Sequence, residues 1–207
     1  MACNFRAAMS RHLIPLALAL AFSAAQAEKA DRLKPLVFTA DKEGRIDSIN
    51  QRTELFGNVI LTKGTLVLNA EKVDVRATSD GYWQAYANGT TGKAVSFRQA
   101  RDVPGEAIEG VADQLEYDTK TETVRFIGNA KVRRTHGATV ADEVTGAVIV
   151  YDSRTEVFAL EGGNASPNPN GRVRMVLMPR VQPDAPASAP PATLPLQPST
   201  TITPPKK

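Results

Sequence analysis

The chain has 207 residues, with 25 Lys and Arg residues against 22 Asp and Glu residues, and this length suits one domain of ordinary size with terminal extensions. Removal of the amino-terminal segment described next would take away Arg6 and Arg11, leaving 23 basic residues and a net charge of about +1. A chain so close to neutrality lacks the concentrated positive face that nucleic-acid binding requires, so we expect no nucleic-acid partner.

Residues 1–27 have the features of a secretory signal peptide. Arg6 and Arg11 supply a positively charged start. Residues 13–22 are apolar but too short to span a bilayer. Residues 25–27 read Ala-Gln-Ala, which is the small-x-small pattern that precedes a cleavage site.

Cleavage is therefore predicted before Glu28; the alternative is an uncleaved membrane anchor. Cleavage removes Cys3, the only cysteine of the chain, and His12, which leaves His136 as the only histidine. An exported chain without disulfide bonds suits the periplasm of a Gram-negative bacterium.

After a charged lead-in over residues 28–34, the pattern predicts β-strands throughout residues 35–178. Short runs rich in Val, Leu, Phe and Thr are bounded by Gly, Asn, Asp or Pro, and no stretch shows sustained helical periodicity. Residues 179–207 contain nine prolines and cannot bury a core, so we expect a Pro-rich disordered tail. The predicted strands cover residues 36–40, 55–61, 66–75, 82–86, 94–97, 107–117, 124–132, 139–150, 156–160 and 172–178.

The clearest single unit is a β-hairpin over residues 56–71. Its apolar runs, 59–61 and 66–68, flank Lys63-Gly64, where glycine allows the positive φ that a tight turn requires. Short words from its flanks recur, and the Gly-Asn spacings of 71 and 35 residues predict stacked hairpins with a period near 35 and one missing copy near residues 88–92. The Gly-Asn words are at 57–58, 128–129 and 163–164, and the Ala-Asp or Ala-Glu words are at 40–41, 70–71, 112–113 and 141–142.

A change of apolar phase marks the second strand of this hairpin. Leu66, Leu68 and Ala70 share one face of a strand, whereas Val73 and Val75 have the opposite parity. The switch predicts a bulge or corner at the Ala-Glu word, where one strand passes from one sheet to another, as in a jelly roll or flattened barrel. The recurring acidic residues are expected to hydrogen-bond at such corners: Asp41, Glu71, Asp113 and Asp142.

Alignment of the first two Gly-Asn words predicts that two sets of residues share a face. Beyond Val144 no polar alternation orients the strand, so its inward face is left open. The aligned sets are Leu55, Gly57, Val59 and Leu61 in one strand and Phe126, Gly128, Ala130 and Val132 in the other.

A set of short motifs occurs in a characteristic order over residues 35–179. They read PLVF (35–38) with AD (40–41), FGNVI (56–60) with KGT (63–65), NAEKV (69–73), GKA (92–94), VSF (95–97), IEG (108–110), FIGNA (126–130), RV (172–173) and LMP (177–179). Together they resemble the LptA family of periplasmic lipopolysaccharide-transport proteins, which carry an OstA-like domain. The family pattern does not account for the Pro-rich tail.

The resemblance implies an all-β fold, namely an elongated, twisted antiparallel β-jelly roll built from stacked hairpins and open at both ends. It implies a lipopolysaccharide carrier that bridges the inner-membrane extraction complex and the outer-membrane translocon during outer-membrane assembly, with possible head-to-tail self-association. Two alternatives remain at this point. One is a structural or adaptor β-domain that joins envelope proteins by edge-strand pairing, and the other is the membrane-anchored partner of the same fold.

An apolar groove would shelter the lipid A acyl chains of lipopolysaccharide. Each buried methylene is worth about 0.8 kcal/mol, so roughly ten methylenes represent about 8 kcal/mol. The competing interpretation is an ordinary closed core, which the same alternation also produces. The residues predicted to line the groove are Leu36, Phe38, Leu55, Val59, Leu61, Leu66, Leu68, Phe97, Leu115, Tyr117, Val124, Phe126 and Val132.

The two terminal strands are predicted to be open edges that pair with partner proteins, because an edge presents unpaired backbone donors and acceptors. The alternative is that the two edges pair with each other within one chain. The residues concerned are Leu36, Val37, Phe38 and Thr39 at one edge, and Val173, Arg174, Met175, Val176 and Leu177 at the other.

The sequence predicts no catalytic, metal or cofactor site. His136 has no neighbouring nucleophile motif and is expected to be an exposed turn residue beside Gly137. Lys131, Arg133 and Arg134 could meet lipid phosphates, but such a run more often forms a solvated strand face.

Overall fold

The computed structural model describes residues 30–179, which form twelve antiparallel strands and one short 3-10 turn. The predicted signal peptide, the first two residues of the lead-in and the tail beyond Pro179 lie outside the described residues. The strands are β1 (Val37–Thr39), β2 (Gly44–Asp47), β3 (Arg52–Lys63), β4 (Leu66–Ala77), β5 (Trp83–Asn88), β6 (Val95–Ala100), β7 (Glu106–Ala112), β8 (Gln114–Asp118), β9 (Thr123–His136), β10 (Thr139–Asp152), β11 (Val157–Glu161) and β12 (Arg174–Leu177).

Four long strands, β3, β4, β9 and β10, each belong to two sheets. In β4, for example, Val67 to Asn69 pair with β6, whereas Lys72 to Ala77 pair with β5. The first sheet has the order β1-β3-β4-β6-β7-β9-β10-β12. The second sheet has the order β2-β3-β4-β5-β8-β9-β10-β11. The described chain is therefore a two-layered, jelly-roll-like fold, and the predicted all-β class is confirmed.

The two sheets meet along one side, which we call the corner line. Here the long strands bend from one sheet to the other, and the short strands are joined in pairs. We call the opposite side, where the hairpin turns of the two sheets face each other, the mouth. The corner line comprises residues 40–43, 57–58, 71, 89–94, 113, 128–129, 146–147 and 162–173.

The space between the sheets holds a single apolar core. The predicted phase change in β4 is confirmed, since Leu66, Leu68 and Ala70 are buried before the bend and Val73 and Val75 after it. The register between β3 and β4 shifts at the same level, between Phe56 and Val59. In β10 a shift between Gly146 and Val148 turns Ile149 and Tyr151 inward, which settles the face that the sequence left open.

Most predicted strands correspond to observed strands, with two differences. Residues 107–117, predicted as one strand, are divided at Asp113 into β7 and β8. Strand β2 is missing from the prediction because its sequence, Gly-Arg-Ile-Asp, contains one apolar residue and its Ile46 is exposed. No helix within residues 30–179 has the length and apolar character needed to cross a membrane.

The predicted period of 35 residues is only partly correct. Gly57-Asn58 and Gly128-Asn129 occupy equivalent bends in β3 and β9, so the structural repeat is the longer spacing. Gly163-Asn164 lies on the corner line but in the link between β11 and β12, outside any strand register. Its short word matches the others without sharing their hydrogen bonding.

Candidate functional site: the interior between two sheets

The first corner is fixed by an Asp-Asn pair. The backbone N–H of Asp41 donates to the Gly57 carbonyl at 2.9 Å, and the Asn58 side-chain amide donates to the Asp41 carboxylate at 2.6 Å. Gly57 and Asn58 both have positive φ, at 78° and 42°, a conformation that glycine and asparagine tolerate best. The bend in β3 therefore depends on the adjacent Gly57 and Asn58, which tolerate positive φ, and on the hydrogen bond from Asn58 to Asp41.

The second corner repeats the same arrangement. Asp113 N–H donates to the Gly128 carbonyl at 2.9 Å, and the Asn129 amide donates to the Asp113 carboxylate at 2.9 Å. A Cβ atom on Gly128 would lie 2.5 Å from that carboxylate, so any other residue would have to displace the Asp113 side chain. The predicted corner role is thus confirmed for Asp41 and Asp113.

Of the other two acidic residues, Glu71 also hydrogen-bonds at a corner, with different partners, whereas Asp142 does not lie at one. Glu71 lies on the corner line and forms an ion pair with Lys42 at 3.1 Å, and this hydrogen bond lowers the pKa of Glu71. The prediction that Asp142 hydrogen-bonds at a corner is wrong. It lies within the first sheet, where it pairs with Arg134 across the β9-β10 hairpin.

All thirteen residues predicted to line a groove point into the core between the sheets. Ten of them are at most 5% exposed, so this part of the interior is closely packed. Phe97 and Phe126 make an edge-to-face contact near its centre, with ring centroids 5.6 Å apart. The other three, Leu36, Phe38 and Leu55, are only partly buried.

Partial burial marks both ends of the core. Leu36, Phe38 and Leu55 lie where β1 and β2 form one end, and Phe158 and Leu160 lie at the other end, on β11. In the described residues, β1 and β2 pair only with β3, and β11 and β12 pair only with β10. The sheets therefore do not close on each other, and the apolar interior reaches the surface at both ends.

Among the described residues, each of the two strands predicted to pair with partners has a single neighbour within the chain. Strand β1 and strand β12 lie at opposite ends of the first sheet and do not pair with each other. Val37, Met175 and Leu177 are exposed apolar residues along these edges. The structure also adds two edges that the sequence did not indicate, β2 and β11, at the ends of the second sheet.

The mouth is closed by side chains from both sheets. Lys63, at the end of β3 in the first sheet, lies 3.5 Å from the Tyr117 hydroxyl in the second. Burial raises the pKa of this hydroxyl, so Tyr117 stays neutral. At the next pair of turns, Arg101 of the first sheet forms an ion pair with Glu156 of the second.

The basic run on β9 is divided between the two faces of its strand, because Lys131 and Arg133 lie on the outer face whereas Arg134 has the inward parity of Val132. Arg133 pairs with Glu143 at 2.7 Å, and Arg134 pairs with Asp142. Lys131 lines a shallow cavity of about 400 Å³ on the outer surface of the first sheet. His136 is exposed at the β9-β10 turn, as predicted.

Comparison with known families decides the relationship. A family model described as "LptA/(LptD N-terminal domain) LPS transport protein" matches residues 39–157, which is more than half of the chain. The chain belongs to this family. The LptA family predicted from the ordered motifs is thus confirmed.

Two curated relatives share the name "Lipopolysaccharide export system protein LptA". The protein from Haemophilus influenzae is 26% identical over 78% of this chain and 87% of its own length. The protein from Escherichia coli K12 is 28% identical over 64% of this chain and 69% of its own length.

A solved structure shows the same fold. It is LptH from Pseudomonas aeruginosa, described as the LptA-homologous periplasmic component of the lipopolysaccharide transport device. It aligns with a TM-score of 0.62 at 23% identity, covering 72% of this chain and 99% of LptH.

The LptA-family match includes both Asp-Asn corners but omits parts of the mouth and edges. It begins at Thr39 and ends at Val157, so Asp31, most of β1 and all of β12 lie outside it. Sequence reasoning also missed Asp31, Arg101 and Glu156. Their role depends on contacts between elements distant in sequence, and no local pattern would have shown it.

Proposed function

We propose that this LptA-family chain is a periplasmic lipopolysaccharide carrier that shelters acyl chains between its two sheets. The relatives named as lipopolysaccharide export proteins support the substrate, and the periplasmic neighbour supports the compartment. The observation that carries the proposal is the apolar interior, which crosses eight strand positions per sheet and emerges at both ends.

Physical chemistry explains why such an interior is sufficient. Exposing roughly ten methylenes to water costs about 8 kcal/mol, and an apolar path removes most of that barrier. No bond is made or broken, so the function requires no catalytic group. Since the central residues are closely packed, an acyl chain enters as the sheets move apart at the mouth.

The direction of the strands supports a bridge between membranes. Every neighbouring pair in both sheets is antiparallel, and each sheet has eight strand positions, so its last strand runs opposite to its first. A second copy, or a partner of the same fold, can therefore place β1 beside β12 and continue the antiparallel order. The second sheet offers β2 and β11 for the same purpose.

Photocrosslinking tests the lipid role. A photoreactive phenylalanine analogue replaces Phe38 or Phe158, which face the interior at opposite ends and are partly exposed. Val111, which is 39% exposed on the outer face of β7, is the control position. Purified lipopolysaccharide is expected to crosslink at both interior positions and not at Val111.

Crosslinking at Val111 alone, or at none of the three positions, would overturn the carrier. Partner binding in the absence of any lipid crosslink would favour the adaptor function. To test the edges, Val37→Pro and Met175→Pro each remove one backbone donor and should weaken association with copies or partners, as measured by light scattering. Unchanged association in both variants would contradict edge pairing.

A further inference from the structure

The turn between β3 and β4 is shaped around a carboxylate. The N–H of Thr65 donates to Asp31 Oδ1 at 2.8 Å, and the Thr65 hydroxyl donates to Asp31 Oδ2 at 2.6 Å. The side-chain amide of Gln99, on β6, adds a donor 3.3 Å from Oδ2. A Cβ atom on Gly64 would lie 1.9 Å from Asp31 Oδ1, so the glycine leaves the space that the carboxylate fills.

Both charged groups at this position are buried. Asp31 is 4% exposed and Lys63 is 8% exposed. Burial lowers the pKa of Lys63, whereas the nearby Glu122 and Asp31 carboxylates act in the opposite direction. Within residues 30–179, the ammonium has one hydrogen-bond partner, the Tyr117 hydroxyl at 3.5 Å. A buried cation with so few partners is a ready site for an anion.

Asp31 also belongs to the connection between the sheets. Its neighbour Arg32 pairs with Glu122, in the β8-β9 turn of the second sheet, at 2.9 Å. Residues 31 and 32 therefore hold the first sheet through Thr65 and Gln99 and the second sheet through Glu122. When Asp31 is released, this segment is no longer attached to the first sheet, and one connection across the mouth is lost.

These contacts point to a binding site of their own: we propose that Thr65 and Gln99, with the ammonium of Lys63 nearby, form an anion cradle at the mouth. Asp31 occupies the cradle in the closed state, and a phosphate monoester of an acylated lipid displaces it. The proposal rests on the proposed carrier function for the acyl part of the ligand. Leu66 follows Thr65 directly and faces the core, so a phosphate in the cradle places the attached chain at the entrance to the interior.

The chemistry of the cradle suits phosphate. A backbone N–H, a hydroxyl, an amide and an ammonium are all donors, and phosphate offers three acceptor oxygens where the carboxylate offers two. Because Asp31 is tethered, it competes with the ligand, and the apparent affinity is reduced by the fraction of chains in which it is bound.

The test uses the full mature chain and isothermal titration calorimetry. The probes are octyl phosphate, octyl glucoside with the same chain and a neutral head, and inorganic phosphate. Asp31→Asn keeps the shape but removes the competing charge, and it should raise the affinity for octyl phosphate about tenfold while leaving octyl glucoside unchanged. Thr65→Val should abolish the gain in octyl phosphate affinity in the Asp31→Asn background, where no carboxylate competes for the hydroxyl.

Each result decides a separate point. An unchanged affinity for octyl phosphate in Asp31→Asn overturns the cradle, and so does an equal rise for octyl glucoside, which would make Asp31 only a fastening of the mouth. Inorganic phosphate bound as tightly as octyl phosphate overturns the lipid as the source of the anion. If octyl phosphate binds only as tightly as inorganic phosphate and octyl glucoside does not bind, while Asp31→Asn still raises the affinity for both phosphates, the carrier function fails but the anion site stands.

Discussion

The corner line and the mouth close the same interior in different ways. At the corner line four strands run continuously from one sheet to the other, and two Asp-Asn pairs fix the bends. Within residues 30–179, side-chain contacts join the sheets at the mouth, including those of residues 31 and 32, of Lys63 with Tyr117, and of Arg101 with Glu156.

The difference between the two sides predicts that the corner line acts as a hinge and that the mouth opens. Separating the sheets at the mouth breaks a few side-chain contacts, each with a net worth of about 0.5–1.5 kcal/mol. Separating them at the corner would break backbone hydrogen bonds and distort four strands. We therefore expect acyl chains to enter at the mouth while the corner line stays intact.

The largest effect is expected from a methyl group at the corner. In Gly128→Ala the alanine must adopt a positive φ, and its Cβ would collide with the Asp113 side chain. We therefore expect the free energy of unfolding to fall by about 2–4 kcal/mol. Gly92→Ala is the matched control, because Gly92 also has positive φ, at 85°, but no atom lies within 4 Å of the added Cβ. It should cost about 1 kcal/mol in urea titrations. Equal losses would show that the corner contact contributes nothing.

The second prediction concerns Asp74, which lies in the second sheet, away from both the corner line and the mouth. Burial raises the pKa of Asp74, but hydrogen bonds from Arg52 and Arg76 outweigh it and lower the pKa from 3.8 to about 2. The resulting stability is present above the unfolded pKa and disappears as the pH falls through about 2. Asp74→Asn should therefore cost about 2 kcal/mol at pH 7, and its stability should approach that of the unaltered chain near pH 2. A pH-independent difference would contradict this ion-pair account.

The corner side chains should show a smaller, coupled effect. Asp113→Ala and Asn129→Ala each remove one side of the same hydrogen bond, so each should cost about 1–2 kcal/mol. In a double-mutant cycle the two losses should fall short of additivity by about 1 kcal/mol. Asp142→Ala is a useful comparison because Asp142 lies off the corner line, and its coupling to Asn129 should be negligible.

The smallest change in stability is expected at the mouth. Glu156→Gln weakens the ion pair with Arg101, which should change the free energy of unfolding by less than about 0.5 kcal/mol. The same variant should accelerate uptake of a fluorescent acyl probe, since the sheets part more readily. The control is Glu116→Gln, which weakens the Arg125–Glu116 pair within the second sheet. Equal acceleration by both variants would show that the Arg101–Glu156 contact at the mouth does not control uptake.

The sequence predicted features set by local alternation and turn chemistry. The hairpin at Gly64, the bend near Glu71 and the inward faces of Val59 and Phe126 follow from parity and glycine placement. Strand β2 escaped because edge strands with exposed side chains carry little apolar pattern.

The mouth could not be predicted because it depends on distant parts of the chain. Asp31 and Gln99 are 68 residues apart in sequence, and neither belongs to a local motif that marks a buried polar contact. The Gly163-Asn164 motif led to a wrong repeat length because it matches the other Gly-Asn motifs in sequence but lies outside any strand. Local patterns describe strands well and describe contacts between sheets poorly.

The most direct test of the account measures distances across the mouth. Spin labels at Val103 and Thr155, in exposed turns of opposite sheets, report the opening, and labels at Lys120 and Thr155 report distances within the second sheet. The labels are attached to cysteines introduced into the mature chain, which lacks Cys3 after the predicted cleavage. Double electron–electron resonance should show the Val103–Thr155 distance lengthening when lipopolysaccharide binds, with the Lys120–Thr155 distance unchanged. Bound lipopolysaccharide with both distances unchanged would contradict an interior that opens at the mouth.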